Sequence, residues 1–196
     1  MADTDGFSIG LASLQRDAAA GRALPPVERW NPAHCGDIDI RIARDGTWYH
    51  QGAPFSRREL VRLFSTILRK DPDGYVLVTP GEKMRIRVDD VPFLAVELNV
   101  EQSPSGQALN FRTNVGDWVA CGPDHALRFE PETGTGGLKP YLHVRRDLWA
   151  RVTRPLFFDL VELGEEREID GRAMFGVTSL GTFYPMAPAE EVRELA

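Results

Sequence analysis

Residues 38–42 read Ile-Asp-Ile-Arg-Ile, a strict alternation of apolar and charged side chains. Strand side chains point alternately to opposite faces, whereas a helix repeats every ~3.6 residues. This stretch therefore commits its part of the chain to a sheet with one buried face. Asp45-Gly46 follows at once, a dipeptide suited to a tight turn, and residues 47–51 supply the returning strand.

The residues leading into that strand, His34-Cys35-Gly36-Asp37-Ile38-Asp39, hold the densest group of reactive side chains in the chain. Alternation puts Asp37, Asp39 and Arg41 on the face opposite the isoleucines, with neighbours about 6–7 Å apart, so the carboxylates have a cation in their own strand. A structural zinc site takes four nitrogen or sulfur ligands, and only His34 and Cys35 qualify here, on adjacent positions whose side chains diverge. Catalysis by Cys35, or by Asp37 and Asp39 as acid and base, needs a histidine from elsewhere: His50, His125 or His143. The polar face of a strand is the preferred reading, and a small enzyme of that kind is its rival. No metal and no cofactor are expected.

Around this strand the pattern predicts a mixture of hairpins and helices. A short helix is expected over 7–21, after which Pro25-Pro26 breaks regular structure and Trp30 pins the arm to the body. Ser56-Arg57-Arg58-Glu59 reads as a capping box opening a helix that ends near Asp71, with Leu60, Leu63, Phe64, Ile67 and Leu68 as its apolar stripe. Strands follow at 75–79, 84–88 and 93–100. The second half predicts strands at 107–113, 117–121, 126–130 and 141–145, then a helix capped by Asp147 and reaching Leu163, with Gly164 as its stop. Pro155 inside that helix implies either a kink or a later start. A hairpin over about 168–184 closes the pattern. Each half thus reads hairpin, helix, hairpin, and Asp45-Gly46-Thr47-Trp48 echoes Gly116-Asp117-Trp118. The expected class is α+β: two related small domains, each an antiparallel sheet or half-barrel with one main helix.

Charge limits the partners. The 23 Lys and Arg against 29 Asp and Glu leave a net charge of −6, which argues against a general nucleic-acid binder and against docking on anionic lipid. The two cysteines, Cys35 and Cys121, lie far apart and form no CxxC pair, as in a reducing compartment. No basic, apolar leader opens the sequence and no apolar run approaches the ~20 residues of a membrane span, so a cytoplasmic location is expected.

Two familiar motifs fail on inspection. Glu132-Thr-Gly-Thr-Gly-Gly-Leu-Lys139 lacks phosphate-loop spacing and runs into Pro140 and a strand, so it predicts a hairpin loop. Val177 stands where the first glycine of a GxSxG nucleophile turn belongs. The cations offer more. Arg57 and Arg58 sit in the first turn of the first helix, where the dipole disfavours them, and Arg62 and Arg69 continue on the side of Arg58. Such a helix start is suited to a phosphate or carboxylate, against the ordinary alternative of a solvated face. Phe111-Arg112-Thr113-Asn114, with His125, Arg128, Tyr141, His143 and Arg145 on neighbouring strands, forms a second group, in which Arg112 and Arg128 are candidates for one face. The candidate ligand-binding set is Arg41, Trp48, Arg57, Arg58, Arg112, Asn114, His125, Arg128 and Tyr141.

Several segments resemble, in order, the bacterial family known as domain of unknown function 1285: Trp30-Asn31-Pro32 leading to Cys35-Gly36-Asp37-Ile38, Arg41 to Trp48, Arg62-Leu63-Phe64-Ser65, Thr79-Pro80, Phe111 to Gly116, and Asp159-Leu160-Val161-Glu162. The resemblance spans roughly residues 25–185. It implies a two-domain α+β protein whose C-terminal half is superficially pleckstrin-homology-like, with a binding site in the groove between the halves and an indirect link to signalling. It brings no catalytic residues. The expected domains are an arm over 1–29, an N-terminal domain over 30–98, a C-terminal domain over 99–186 and a tail over 187–196. The expected function is a binding or adaptor module for a protein segment or small anionic ligand.

Overall fold

The alternating segment is a strand, β1 (His34–Ile42), in a computed structural model that describes residues 24–134 and 136–193. The helix expected over 7–21 lies outside the described residues. Ile40 and Ile42 are buried, and Asp37 and Asp39 on the opposite face are exposed. The chain divides between Asp90 and Val91 into two compact units. That replaces the boundary expected at 98/99, because residues 93–103 form one unbroken strand that opens the second unit.

The first unit builds one six-stranded sheet. Its further elements are β2 (Trp48–His50), β3 (Ala53–Pro54), helix α1 (Arg58–Thr66), β4 (Leu68–Asp71), β5 (Gly74–Val78) and β6 (Glu82–Val88). The strand order is β3-β2-β1-β6-β5-β4, with β1 antiparallel to β2 and parallel to β6. Trp48, Phe64, Ile67, Leu68 and Leu77 fill the core, and the Trp48 and Phe64 rings stack at 6.3 Å. Each such side chain contributes about 1.5–3 kcal/mol by leaving water.

Helix α1 is shorter than its pattern predicted. It starts after Arg57, with no side-chain cap, so the capping box at Ser56 does not form. It stops at Thr66, since Ile67 and Leu68, both fully buried, are drawn into the turn and the edge strand β4. A run of buried apolar residues at that spacing satisfies a helix stripe and a strand equally, and tertiary burial decided.

The second unit repeats the plan. Strands β7 (Phe93–Ser103), β8 (Gly106–Thr113), β9 (Trp118–Ala120), β10 (Leu127–Pro131), β11 (Leu138–Arg145) and β12 (Leu148–Val152) form a sheet ordered β10-β11-β12-β7-β8-β9. Helix α2 (Arg154–Glu162) follows, then a three-stranded sheet of β13 (Glu165–Ile169), β14 (Arg172–Ser179) and β15 (Thr182–Pro188), and the short helix α3 (Ala189–Arg193). Residues 182–193, expected in part as a tail, are thus strand and helix. The expected α+β class with two small domains holds. The sheets are not wholly antiparallel, however: in each, the first and sixth strands of the unit pair in parallel, β1 with β6 and β7 with β12.

That shared strand order is the duplication. The sequence echo is something else. Ala43 N–H donates to Thr47 O and Gly46 N–H to Ala43 O, both at 2.9 Å; Thr113 N–H donates to Asp117 O at 2.8 Å and Gly116 N–H to Thr113 O at 2.9 Å. Gly46 and Gly116 take positive φ of 79° and 97°, which glycine adopts without a Cβ penalty. Yet one turn joins the first and second strands of its unit, the other the second and third. The echo reports one turn geometry used twice in non-equivalent places.

Of the two readings left open at Pro155, the later start is found. Thr153 is the N-cap of α2 and proline occupies its first turn, where its missing N–H loses no bond. Leu148, Trp149 and Val152 therefore belong to a strand, β12, and not to a helix begun at Asp147. Gly164 ends the helix without a positive φ; it is glycine because an added Cβ would collide with the Phe175 ring. The three-stranded sheet is pinned through Ser179, fully buried, whose hydroxyl accepts from Leu109 N–H at 2.9 Å and donates to Cys121 O at 2.7 Å.

Candidate functional site

The reactive cluster of β1 proves to be one side of an ion-pair ladder. Parallel pairing sets Asp37 opposite Arg85, with their charged groups 3.7 Å apart, and Asp39 reaches Arg87 at 2.7 Å. Arg41 bonds Asp89 at 3.0 Å and lies 5.0 Å from the Tyr49 ring centroid. A shallow cleft of about 150 Å³ is lined by Asp39, Arg41, Tyr49 and Arg87, each charge facing another of opposite sign. The Cys35 thiol is exposed and set against the Pro32 carbonyl at 3.8 Å. Among the described residues no three His, Cys, Asp or Glu side chains gather as a metal-ligating set.

The candidate residues scatter. Trp48 is a core residue, 2% exposed. Arg57 and Arg58 lie exposed at the start of α1, and Arg62 is exposed beyond them. Arg69 leaves their line because it belongs to β4. It is partly buried and gives its guanidinium to Asp71 (2.6 and 3.0 Å) and to the carbonyls of Val27 (2.8 Å) and Trp30 (2.9 Å). That contact ties down the arm at Trp30, and it holds the Asp71 carboxyl below its ordinary 3.8, chiefly by this hydrogen bonding. Arg112 pairs with Glu97, and Asn114 accepts from Leu94 N–H at 3.1 Å, so both serve the strand and turn they sit on.

Arg112 and Arg128 do not form one site: β8 and β10 are four strand steps apart in their sheet, about 19 Å at ~4.8 Å per step. Arg128, Tyr141 and His125 do come together, with two residues not singled out as ligand contacts. Cross-strand register sets Arg128 opposite Tyr141 and His143 opposite Trp149. The Arg128 guanidinium lies 4.0 Å from the Trp149 ring and 5.3 Å from Tyr141, while His143 stands edge-on to Trp149 at 5.1 Å and stacks with His125 at 5.8 Å. Arg128 also pairs with Glu130 at 3.2 Å.

A cavity of about 470 Å³ in this unit opens where the β10–β11 loop meets the start of α2. Lys139, Arg151 and Arg154 supply three cations to its wall against one carboxylate, Glu132, which meets Lys139 at 3.5 Å. Leu138, Phe157 and Phe158 form much of the rest. The glycine-rich run frames the mouth as a hairpin loop closed by Glu132 N–H to Gly137 O at 2.7 Å, with Gly134 and Gly136 at positive φ. The sequence held a signal for this place: Leu148-Trp-Ala-Arg-Val152 alternates with period two, and Pro155 fits only the first turn of a helix. The other buried reactive group is Cys121, whose thiol burial pushes up to about 11. Tyr184, beside it, is raised as well, first by burial.

The model of the N-terminal domain of the DUF1285 family matches residues 25–91, and that of the C-terminal domain of the same protein of unknown function matches residues 92–186. The chain belongs to this family. The crystal structure of a DUF1285 family protein from Silicibacter pomeroyi DSS-3 is 44% identical, covers 94% of this chain and 98% of its own, and superposes with a TM-score of 0.80. A DUF1285 family protein from Shewanella baltica OS155 is 27% identical over 63% of this chain and 90% of its own, with a TM-score of 0.50. No curated protein matches. The DUF1285 chain has, among its described residues, no helix long and apolar enough to cross a membrane.

Proposed function

We propose that this DUF1285 protein is a binding module that takes a small anionic ligand in the cavity of its C-terminal unit. One observation carries the reading. A chain of net charge −6 gathers three cationic side chains and one carboxylate around a space of about 470 Å³. A cavity of a few hundred Å³ suits a small molecule, and cations concentrated in a largely apolar wall attract an anion more strongly than they would in open water. The reading needs no contribution from the N-terminal unit, whose ladder charges are met by one another.

A pleckstrin-homology-like character of the C-terminal unit, and an adaptor role in signalling, are part of this proposal. What supports them is a β-rich unit whose ligand space lies where a loop, a helix start and the ends of two strands meet. A cytoplasmic setting is proposed on the same footing, from two unpaired cysteines.

The test is a thermal-shift screen of the full chain with phosphate, dicarboxylates and short carboxylates. A ligand present at 100 times its dissociation constant adds about 2.7 kcal/mol, a clear rise in melting temperature. The expected result is a hit that Arg154→Ala or Lys139→Ala weakens at least tenfold. Silence across the panel, or a hit indifferent to both substitutions, would overturn the reading.

A further inference from the structure

We infer that the anion taken by the C-terminal cavity is an amphiphilic carboxylate, with an acyl or aromatic body that lies along the cavity's apolar wall. This rests on the proposed anion site and adds what the remainder of the ligand must be.

The apolar part of the lining is the reason. Leu138, Pro140 and Val152 continue it from the strands, and Phe157 and Phe158 complete it from α2. On that helix Leu156 and Leu160 face the core, so Phe157, half-buried, and Phe158, 52% exposed, are turned away from it. The two rings hold each other at 6.3 Å, and Phe157 leans on Phe129 at 6.4 Å, which makes the wall a braced aromatic surface. Arg154 lies 5.6 Å from the Phe158 ring centroid, placing a guanidinium at the rim of the same surface. An inorganic anion engages the cations and leaves this wall in water. A carboxylate on an apolar chain uses both, and it gains most of its affinity from the wall.

Calorimetric titration of the full chain with butyrate, octanoate and 2-naphthoate tests this. Each methylene removed from water should tighten binding about fourfold, so octanoate should bind at least tenfold more tightly than butyrate even if only half of its additional chain enters. The tighter of octanoate and 2-naphthoate identifies the body as acyl or aromatic. Phe158→Ser, at an exposed position, should weaken octanoate at least threefold and leave butyrate unchanged. Equal affinities for butyrate and octanoate would overturn the amphiphilic ligand and leave the anion site standing. An octanoate gain that survives both Phe158→Ser and Arg154→Ala would overturn it too, by locating the binding elsewhere. No binding of any of the three, with phosphate and dicarboxylates also silent, would end both readings.

Discussion

The two six-stranded sheets share one strand order and differ in the surroundings of their cations. In the N-terminal sheet Arg85, Arg87 and Arg41 each meet an aspartate, and Arg69 and Lys83 converge on Asp71. In the C-terminal unit Arg112, Arg128, Lys139 and Arg145 meet carboxylates as well, but Arg128 also lies on Trp149 and Arg145 on Phe93, and Lys139, Arg151 and Arg154 border a cavity. Each sheet also keeps one largely buried arginine as an anchor: Arg69, and Arg145, which bonds Asp117 at 2.7 Å. Identical topology therefore says nothing about which sheet binds. A cation met by a carboxylate on the surface of its own sheet stabilises or solvates that sheet, whereas cations that border a cavity beside an aromatic wall also present their charge to whatever enters it.

The comparison can be broken first at its anchors. Arg69→Ala should cost about 3 kcal/mol in urea unfolding, because it removes the donor from the Trp30 carbonyl, leaves the Val27 carbonyl with only Trp30 N–H, and leaves Asp71 with only Lys83. The effect carries a pH signature. A carboxyl depressed in the fold contributes stability above its unfolded value, and that stability is lost as pH falls through the lower folded value. The gap between the wild-type protein and Arg69→Ala should therefore be full above 3.8 and close as pH drops below it. A gap independent of pH would show that the carbonyl contacts alone matter.

In the other unit, Ser179→Ala should cost about 2 kcal/mol, since it orphans the buried Leu109 N–H and Cys121 carbonyl together. Thiol labelling reads the same place. Exposed Cys35 should react at once, and Cys121, raised to about 11 by burial, only on unfolding. Ser179→Ala should hasten labelling of Cys121 and leave Cys35 unchanged. Glu132→Gln sharpens the contrast more gently: releasing Lys139 from its carboxylate should raise octanoate affinity several-fold by calorimetry. Asp39→Asn should matter least, within about 0.5 kcal/mol by urea unfolding, because its pair with Arg87 is more than half exposed on both sides. A large loss there would mean that the ladder holds the sheet together after all.

Much of this was legible in advance, and the failures have a common form. The Ile38–Ile42 alternation gave β1 with its correct faces, and the strands at 107–113 and 126–130 were found within a residue or so. The errors fell where buried apolar residues fit two periods. Ile67 and Leu68 continue a helical stripe, yet Ile67 caps the helix and Leu68 opens an edge strand; Leu148 and Val152 fit a helical pattern yet form β12. Trp149 and Arg151 were hidden by that second error, and with them the aromatic-cation face and part of the cavity wall. Arg112 and Arg128 could not be separated without strand order, since alternation assigns a face and never a neighbour.

By itself, then, the sequence determined the local grammar: which residues alternate, where the chain turns at Asp45-Gly46 and Asn114–Asp117, and that the family is DUF1285. These depend on interactions within a few residues, or on an ordered series of motifs, and both are written along the chain. Only the tertiary structure decided the parallel pairing of first and sixth strands, the partnership of Asp37 with Arg85 across 48 positions, and the meeting of Lys139, Arg154 and Phe158 at one cavity. Those contacts join residues far apart in sequence, and they form because burying both sheet faces and helix stripes at once admits few arrangements.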